Sequence, residues 1–271
     1  QEMERDKNVV FLGEDAVKAG GVFNATVGLY EQIGPIRVRD TPSSEQDILG
    51  AAMGAAMTGL RPIAEIMFSD FIAVCFDYIA NEMPKLAYMT NGQLTCPLLI
   101  RTGNGAGVRF GAQHSQSVEN WTMMIPGLKV VAPSSPVDVI GLMAAAVRDN
   151  NPVIFIEHKL LYRIKGEVPE EPYTIPLGQG EIKRPGKDVT VVATSVMVKR
   201  SLEAAELLAQ EGIDLEIVDP RTLKPLDEEI IVRSVCKTGK ALIVHEACKT
   251  SGFGAEIAAR VPAILGRLVE R

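Results

Sequence analysis

The sequence is poor in the residues that build several common kinds of site. It has three histidines, His114, His158 and His245, and four cysteines, Cys75, Cys96, Cys236 and Cys248. The cysteines lie far apart and form no CxxC pair, so a cysteine metal site is not expected, and three scattered histidines argue against a His-rich cluster. Cys75 and Cys96 sit among apolar residues, and all four are expected as structural free thiols in a reducing compartment. No apolar run reaches the roughly 20 residues that cross a bilayer, and the opening QEMERDKNVV resembles neither a signal nor a transit peptide. No basic block offsets the net charge of −6, which argues against broad nucleic-acid binding. Low-complexity segments and short repeats are also missing.

What remains is the composition of a globular protein: 46% hydrophobic and 23% charged residues in a chain of 271, long enough for two ordinary domains. Short apolar runs alternate with helical spacing. Val9–Gly13, Ile36–Arg39, Pro62–Phe68, Pro97–Ile100, Leu128–Ala132 and Val153–Glu157 read as strands. Between them, Ile48–Leu60 and Val139–Val147 read as helices, as does Phe71–Met89. Ser43 and Ser44 are good N-caps, and Ser44-x-x-Asp47 and Ser43-x-x-Gln46 both resemble a capping box. Residues 166–187 hold four prolines and four glycines and read as a connector. Beyond it the alternation resumes, with strands Val189–Ala193, Leu215–Val218 and Ala241–His245 and helices Val198–Gln210, Asp227–Cys236 and Gly252–Leu265. This predicts two three-layer α/β domains with mainly parallel sheets, over about residues 1–165 and 188–271.

The richest stretch for chemistry runs from Pro97 to Ser117. GNGAG at 103–107 invites a nucleotide reading, but GxGxxG would need glycine where the chain has Val108 and Phe110, and the Gly-Lys-Ser/Thr of a phosphate loop is absent. The glycines then read as a strand-to-helix turn. His114 stands where a loop at the carboxyl end of a strand enters the next element, the usual place for a ligand site in open α/β sheets. Satisfaction by neighbouring hydroxyls accounts for it equally well, and His158 and His245 also follow strands. Glu45 lies in the first turn of its helix, where a carboxylate gains about 0.3–1 kcal/mol from the helix dipole without any other role. Glu14 reads as a solvated strand end, and Asp149-Asn150-Asn151-Pro152 as a helix-ending turn.

Taken together, FLGED (11–15), RDTPSSE (39–45), GAAMTGLRPIAEIMFSDF (54–71), AQHSQS (112–117), PGLKVVAPSSPVD (126–138), RDNNPVIFIEHKLLY (148–162) and TGKALIVHEA (238–247) resemble one family in its own order. This is the β subunit of the thiamine-diphosphate-dependent first component of 2-oxo-acid dehydrogenases, which includes the pyruvate, branched-chain and acetoin enzymes. The resemblance implies a pyrimidine-type thiamine-diphosphate-binding domain (1–165), a Pro/Gly-rich linker (166–187) and a transketolase C-terminal-type domain (188–271), truncated at its end. It implies a cofactor shared with an α subunit, which supplies the diphosphate and magnesium site; no GDG…N pattern for magnesium diphosphate occurs here.

By the same resemblance Glu45 is the catalytic carboxylate facing the aminopyrimidine, Phe71 the aromatic against that ring, and His114 the catalytic histidine on the substrate side. Glu14 belongs to a buried acidic water network. Leu98, Ala146, Val147, Asp149 and Asn151 align with carbonyls that in some members of the family hold a monovalent cation, for which the resemblance implies potassium. Two α and two β chains, a lipoyl-bearing dihydrolipoyl acyltransferase and a small 2-oxo acid or acetoin are the implied partners, in the bacterial cytoplasm or the mitochondrial matrix of a eukaryote. HKLLYRIKGEVPEEPY (158–173) looks most like acetoin-type subunits. The family motif usually reads TPISE, whereas Ser43-Ser44 stand before Glu45 here. A split transketolase-like half and a non-catalytic assembly module of the same fold are the alternatives.

Overall fold

The structure is a computed structural model that describes residues 1–17, 19–21 and 23–269. In its first half, helix α1 (Glu2–Arg5) precedes strand β1 (Val9–Gly13), and helix α2 (Leu29–Ile33) precedes β2 (Val38–Asp40). Then come α3 (Glu45–Met57), β3 (Arg61–Phe68), α4 (Leu86–Met89), β4 (Leu99–Asn104), α5 (Glu119–Met123), β5 (Lys129–Val131), α6 (Pro136–Arg148) and β6 (Val153–His158). The second half runs β7 (Glu181–Arg184), β8 (Val189–Ala193), α7 (Val196–Gln210), β9 (Leu215–Asp219), β10 (Thr222–Lys224), α8 (Glu228–Thr238), β11 (Ala241–Val244) and α9 (Phe253–Val269).

The first sheet has the order β10-β5-β6-β4-β3-β1-β2, parallel except for β10. Because side chains alternate across a strand, its two faces build two cores. Ala64, Ile66, Leu98, Ile100, Ile154 and Ile156 pack on the side of α3. Ile63, Leu99, Val153 and Phe155 pack on the side of α6. The second sheet, β11-β8-β9-β7, repeats the scheme: Val191, Ala193 and Ile217 meet α7, while Val192 and Val218 meet α8 and α9. Both halves are three-layered and mainly parallel, as the alternation of strands and helices requires.

Three local expectations come out differently. The stretch from Phe71 to Met89 is not one helix: a 3₁₀ turn over Ser69–Cys75 and a π turn over Tyr78–Glu82 precede α4. Pro84, which offers no backbone N–H, stands between the π turn and α4. At the start of α3, neither serine closes a capping box on the backbone. Ser44 donates to the Asp47 carboxylate at 2.9 Å, and Ser43 donates to Glu14. Within the expected connector, Glu181–Arg184 forms β7, an edge strand antiparallel to β9. The rest of that stretch runs along α6, with Tyr173 donating to the Val137 carbonyl at 2.8 Å. A Cβ on Gly141 would stand 2.7 Å from Tyr173, so α6 is bare where the chain crosses it.

The two halves are joined at a seam. β10, which follows β9 directly, leaves the second sheet and pairs with β5 of the first. Beside it lies a knot of charges. Arg221 reaches Asp138 at 2.7 Å and Glu181 at 2.6 Å, Lys183 reaches Asp138 at 2.7 Å, and Ser134 donates to Asp219 at 2.5 Å. Asp138 and Asp219 are wholly buried. Burial pushes the Asp219 carboxyl up to about 6, whereas Lys183, Ser135 and Arg221 outweigh burial at Asp138 and hold it below its ordinary value.

Candidate active site

The parallel strands β1, β3 and β4 deliver their carboxyl ends to one edge of the first sheet, where open α/β sheets bind ligands. Glu14 follows β1, the turn with Phe71 follows β3, and the loop with His114 follows β4. Glu45 opens α3, which packs against β3 and the 69–75 turn. These four residues are all half-buried.

Phe71 and His114 meet edge-to-face with ring centres 5.2 Å apart, and Phe68 meets the same imidazole at 4.8 Å. Phe110 lies edge-on to Phe68 at 5.9 Å. The histidine therefore sits in an aromatic wall, not in the ring of hydroxyls that would have explained it structurally. On the other flank, Ser43 links Glu14 to the residues just before Glu45. Glu45 itself has no hydrogen-bond or ion-pair partner among the described residues. Its charge adds to burial in pushing the Cys75 thiol up to about 12, and α3 packs on the turn that carries both Cys75 and Phe71. Thr41 Oγ1 and Asp70 Oδ2, on the two flanking segments, are buried without a partner among the described residues.

The loop carrying His114 is closed at a neck. The Gly105 N–H donates to the Gln116 carbonyl at 2.9 Å, and Asp70 receives both the backbone and side-chain N–H of Gln116 at 3.2 and 2.9 Å. Lys159, almost fully buried, donates to the His114 carbonyl at 2.7 Å and stands 5.3 Å from the centre of the Phe68 ring. Burial holds its ammonium below the ordinary lysine range, against the pull of Asp70 and Glu246. The glycines are needed for packing. A Cβ on Gly105, whose φ is +87°, would stand 2.0 Å from His158 Nε2, and one on Gly107 would stand 2.7 Å from Leu160.

The five residues aligned with cation carbonyls gather where α6 ends and where β4 and β6 begin. The Val147 and Asp149 carbonyls accept from the Arg61 guanidinium at 3.1 and 3.0 Å, that of Ala146 from the Asp149 N–H, and that of Leu98 from the Val153 N–H. Asn151 donates to the Asp149 carboxylate. Each carbonyl has a second lone pair to offer. Among the described residues no three His, Cys, Asp or Glu side chains group as a metal site, and the four thiols are free, with burial pushing that of Cys96 up to about 12.

Sequence reasoning missed a buried ionic cluster on the α6 face. Arg101 pairs with Glu157 at 2.7 Å and with Glu65, and Tyr162 donates to Glu157 at 2.5 Å while stacking on Phe23. Strand alternation places Glu65, Arg101 and Glu157 on neighbouring strands of one face, but only their registers, Glu65 opposite Arg101 and Arg101 opposite Phe155, bring them together. Beneath them is a cavity of about 600 Å³ lined mainly by apolar side chains such as Ile33, Ile63 and Met143. It does not include Glu45, Phe71 or His114.

Comparison with known proteins decides the family. The transketolase pyrimidine binding domain matches residues 1–165 and the transketolase C-terminal domain residues 178–268. The 2-oxoisovalerate dehydrogenase subunit beta of Bacillus subtilis is 49% identical over 260 residues, covering 96% of this chain and 80% of that one. This chain belongs to the same family. The match extends to other β subunits of 2-oxo-acid and acetoin dehydrogenases. The acetoin:2,6-dichlorophenolindophenol oxidoreductase subunit beta of Cupriavidus necator is 51% identical, covering 96% of this chain and 80% of the relative. The pyruvate dehydrogenase E1 component subunit beta of Porphyra purpurea is 46% identical, covering 96% and 79%. Among solved structures, a split gene transketolase described as an inactive β4 tetramer superposes with a TM-score of 0.77 at 27% identity, over 95% of this chain and 80% of that one. No described helix is long and apolar enough to cross a membrane.

Proposed function

We propose that this chain is the β half of a thiamine-diphosphate-dependent first component. With an α subunit, as two α and two β chains, it decarboxylates a 2-oxo acid or cleaves acetoin. The acyl unit passes to a lipoyl group of a dihydrolipoyl acyltransferase. The observation that carries this reading is Glu45, a half-buried carboxylate without a partner among the described residues, which opens α3 where that helix packs on the 69–75 turn carrying Phe71, itself edge-to-face with His114. A planar, nitrogen-bearing ring fits such a setting, and Thr41 Oγ1 and Asp70 Oδ2, buried without partners among the described residues, mark places where its polar surroundings would find further partners.

When bound, thiamine diphosphate supplies the nucleophilic carbon and the electron sink for decarboxylation. Glu45 would hold a proton at a nitrogen of the bound ring. Phe71 packs against the ring and excludes water. His114, on the substrate side, holds or delivers a proton to an oxygen of the substrate. Glu14, through Ser43, extends the acidic side of the site. The α subunit provides the diphosphate and magnesium ligands. A potassium-like ion at the carbonyls of Leu98, Ala146, Val147, Asp149 and Asn151 would brace the turn before β6. The division at the 166–187 connector, and a bacterial cytoplasmic or mitochondrial matrix location, complete the proposal.

A half-site should be inert alone. The isolated chain is expected to show almost no decarboxylation, and robust turnover by it would defeat the shared-site reading. In the reassembled enzyme, Glu45→Gln is expected to lower turnover by about 10²–10⁴-fold while α-subunit assembly, followed by sizing chromatography, survives. Near-normal turnover would return Glu45 to a helix-start carboxylate. The identities of 46–51% to dehydrogenase subunits, against 27% to the split transketolase, favour the dehydrogenase reading over a transketolase half.

A further inference from the structure

The loop that carries His114 belongs to the first half of the chain, but one of its ties comes from the second. Glu246 follows β11, and its carboxylate spans two donors of the first half. Oε1 accepts the Ala106 N–H at 2.9 Å, and Oε2 lies 2.5 Å from His158 Nε2. The direction of the second bond follows from the other ring nitrogen. His158 Nδ1 accepts the Leu160 N–H at 3.1 Å, so the imidazole proton is on Nε2 and points at the carboxylate. Glu246 therefore receives two N–H groups, one on each oxygen. These bonds outweigh partial burial and hold its carboxyl below the ordinary range.

Ala106 stands immediately beside the neck that Gly105 and Gln116 close. Fixing Ala106 fixes one strand of the neck, while Lys159 grips the loop at the His114 carbonyl. Between these two grips the chain carries Arg109 in a left-handed conformation at φ +61° and exposed Phe110, so the segment contributes little buried anchorage of its own. We propose that Glu246 is a positioning residue for the reaction: from the second domain, it clamps the neck of the glycine loop and so sets where His114 stands against Phe71. It needs to be a carboxylate. Two N–H donors converge on it, and a glutamine offers one accepting oxygen where two are required.

This inference rests on the reading of His114 as a site residue, and its test separates the two. Glu246→Ala and Glu246→Gln are reassembled with the α subunit, and two quantities are followed: hydrogen exchange at the Ala106–Gly111 amides, and kcat and KM for a 2-oxo acid with an artificial electron acceptor. For Glu246→Ala the loop amides are expected to exchange at least about tenfold faster and kcat to fall about tenfold, since ångström-scale misplacement of a reacting group costs on the order of 10–100-fold. KM and thiamine diphosphate affinity are expected to stay within about twofold, because Glu246 hydrogen-bonds to Ala106 and His158 and to none of the residues read as facing either ligand. Glu246→Gln should fall between wild type and Ala in both readouts. Unchanged amide exchange overturns the clamp. A loosened loop with unchanged kcat overturns its role in positioning, as does failure of both variants to assemble, which would make the contact structural. If the wild-type assembly decarboxylates no 2-oxo acid and cleaves no acetoin, the functional reading fails, while amide exchange still reports whether the clamp exists.

Discussion

The two halves of the chain meet at two seams of opposite construction. At the first, β10 adds backbone pairing to β5, and Arg221, Lys183, Asp138, Glu181 and Asp219 interlock beside it. At the second, one half-buried carboxylate, Glu246, makes the crossing with two hydrogen bonds. The first seam orders whole layers and touches none of Glu14, Glu45, Phe71 and His114. The second orders a loop and touches the segment that ends in His114. Damage at the first should therefore appear as lost stability, and damage at the second as lost rate.

Arg221→Met is expected to have the largest effect. It leaves Asp138 buried with fewer counter-charges, and breaking a buried ion pair from one side costs about 3–5 kcal/mol. Chemical denaturation measures this loss, while loop amide exchange below the transition should stay as in wild type. A variant of normal stability with a loosened loop would erase the distinction between the seams. Gly105→Ala comes next. Its Cβ would clash with His158 at a positive φ, with a cost of about 1–3 kcal/mol. Because the displaced group is the one that donates to Glu246, kcat should fall more than this modest destabilisation explains. Equal kcat in wild type and variant would show that the neck does not depend on His158.

The smallest effect is a matter of pH. Asp219 has a folded pKa of about 6, above the 3.8 of an ordinary aspartate, so the folded state binds its proton more tightly. Its contribution to stability is fully present below pH 3.8 and is lost as pH rises through 6. Asp138, shifted down, acts in the opposite sense, its contribution being lost as pH falls through its depressed value. Asp219→Asn removes the first titration alone. Relative to that variant, wild type should lose stability between pH 4.5 and 7 in urea denaturation, and parallel curves would refute the assignment.

Much of the fold was legible because each half repeats a pattern that physics reads locally: apolar runs at strand length, then helical spacing with caps. In the structure Ser135 caps α6 and Asp227 caps α8. What escaped was short or paired at a distance. β7 (EIKR) and β10 (TLK) lack an apolar run, and each exists because a neighbouring edge offers backbone partners. The break-up of Phe71–Met89 into short turns was hidden by apolar spacing that suits a helix. At the site, Glu45 and His114 could be singled out by position, but their association with Phe71 depends on how α3 packs on the 69–75 turn. Glu246 stood unnoticed beside His245. Its role depends on partners 140 and 88 residues away, Ala106 and His158, which no local pattern signals.

The strand that crosses the first seam has a consequence for any attempt to take the protein apart. Cutting within the connector would yield a first half whose β5 edge, covered here by β10, faces water with a row of unpaired peptide groups. Such bare edges recruit strands from other molecules. The first half by itself would therefore tend towards self-association, and the segment from Thr222 to Lys224 serves as the selvedge that keeps the sheet from fraying into its neighbours.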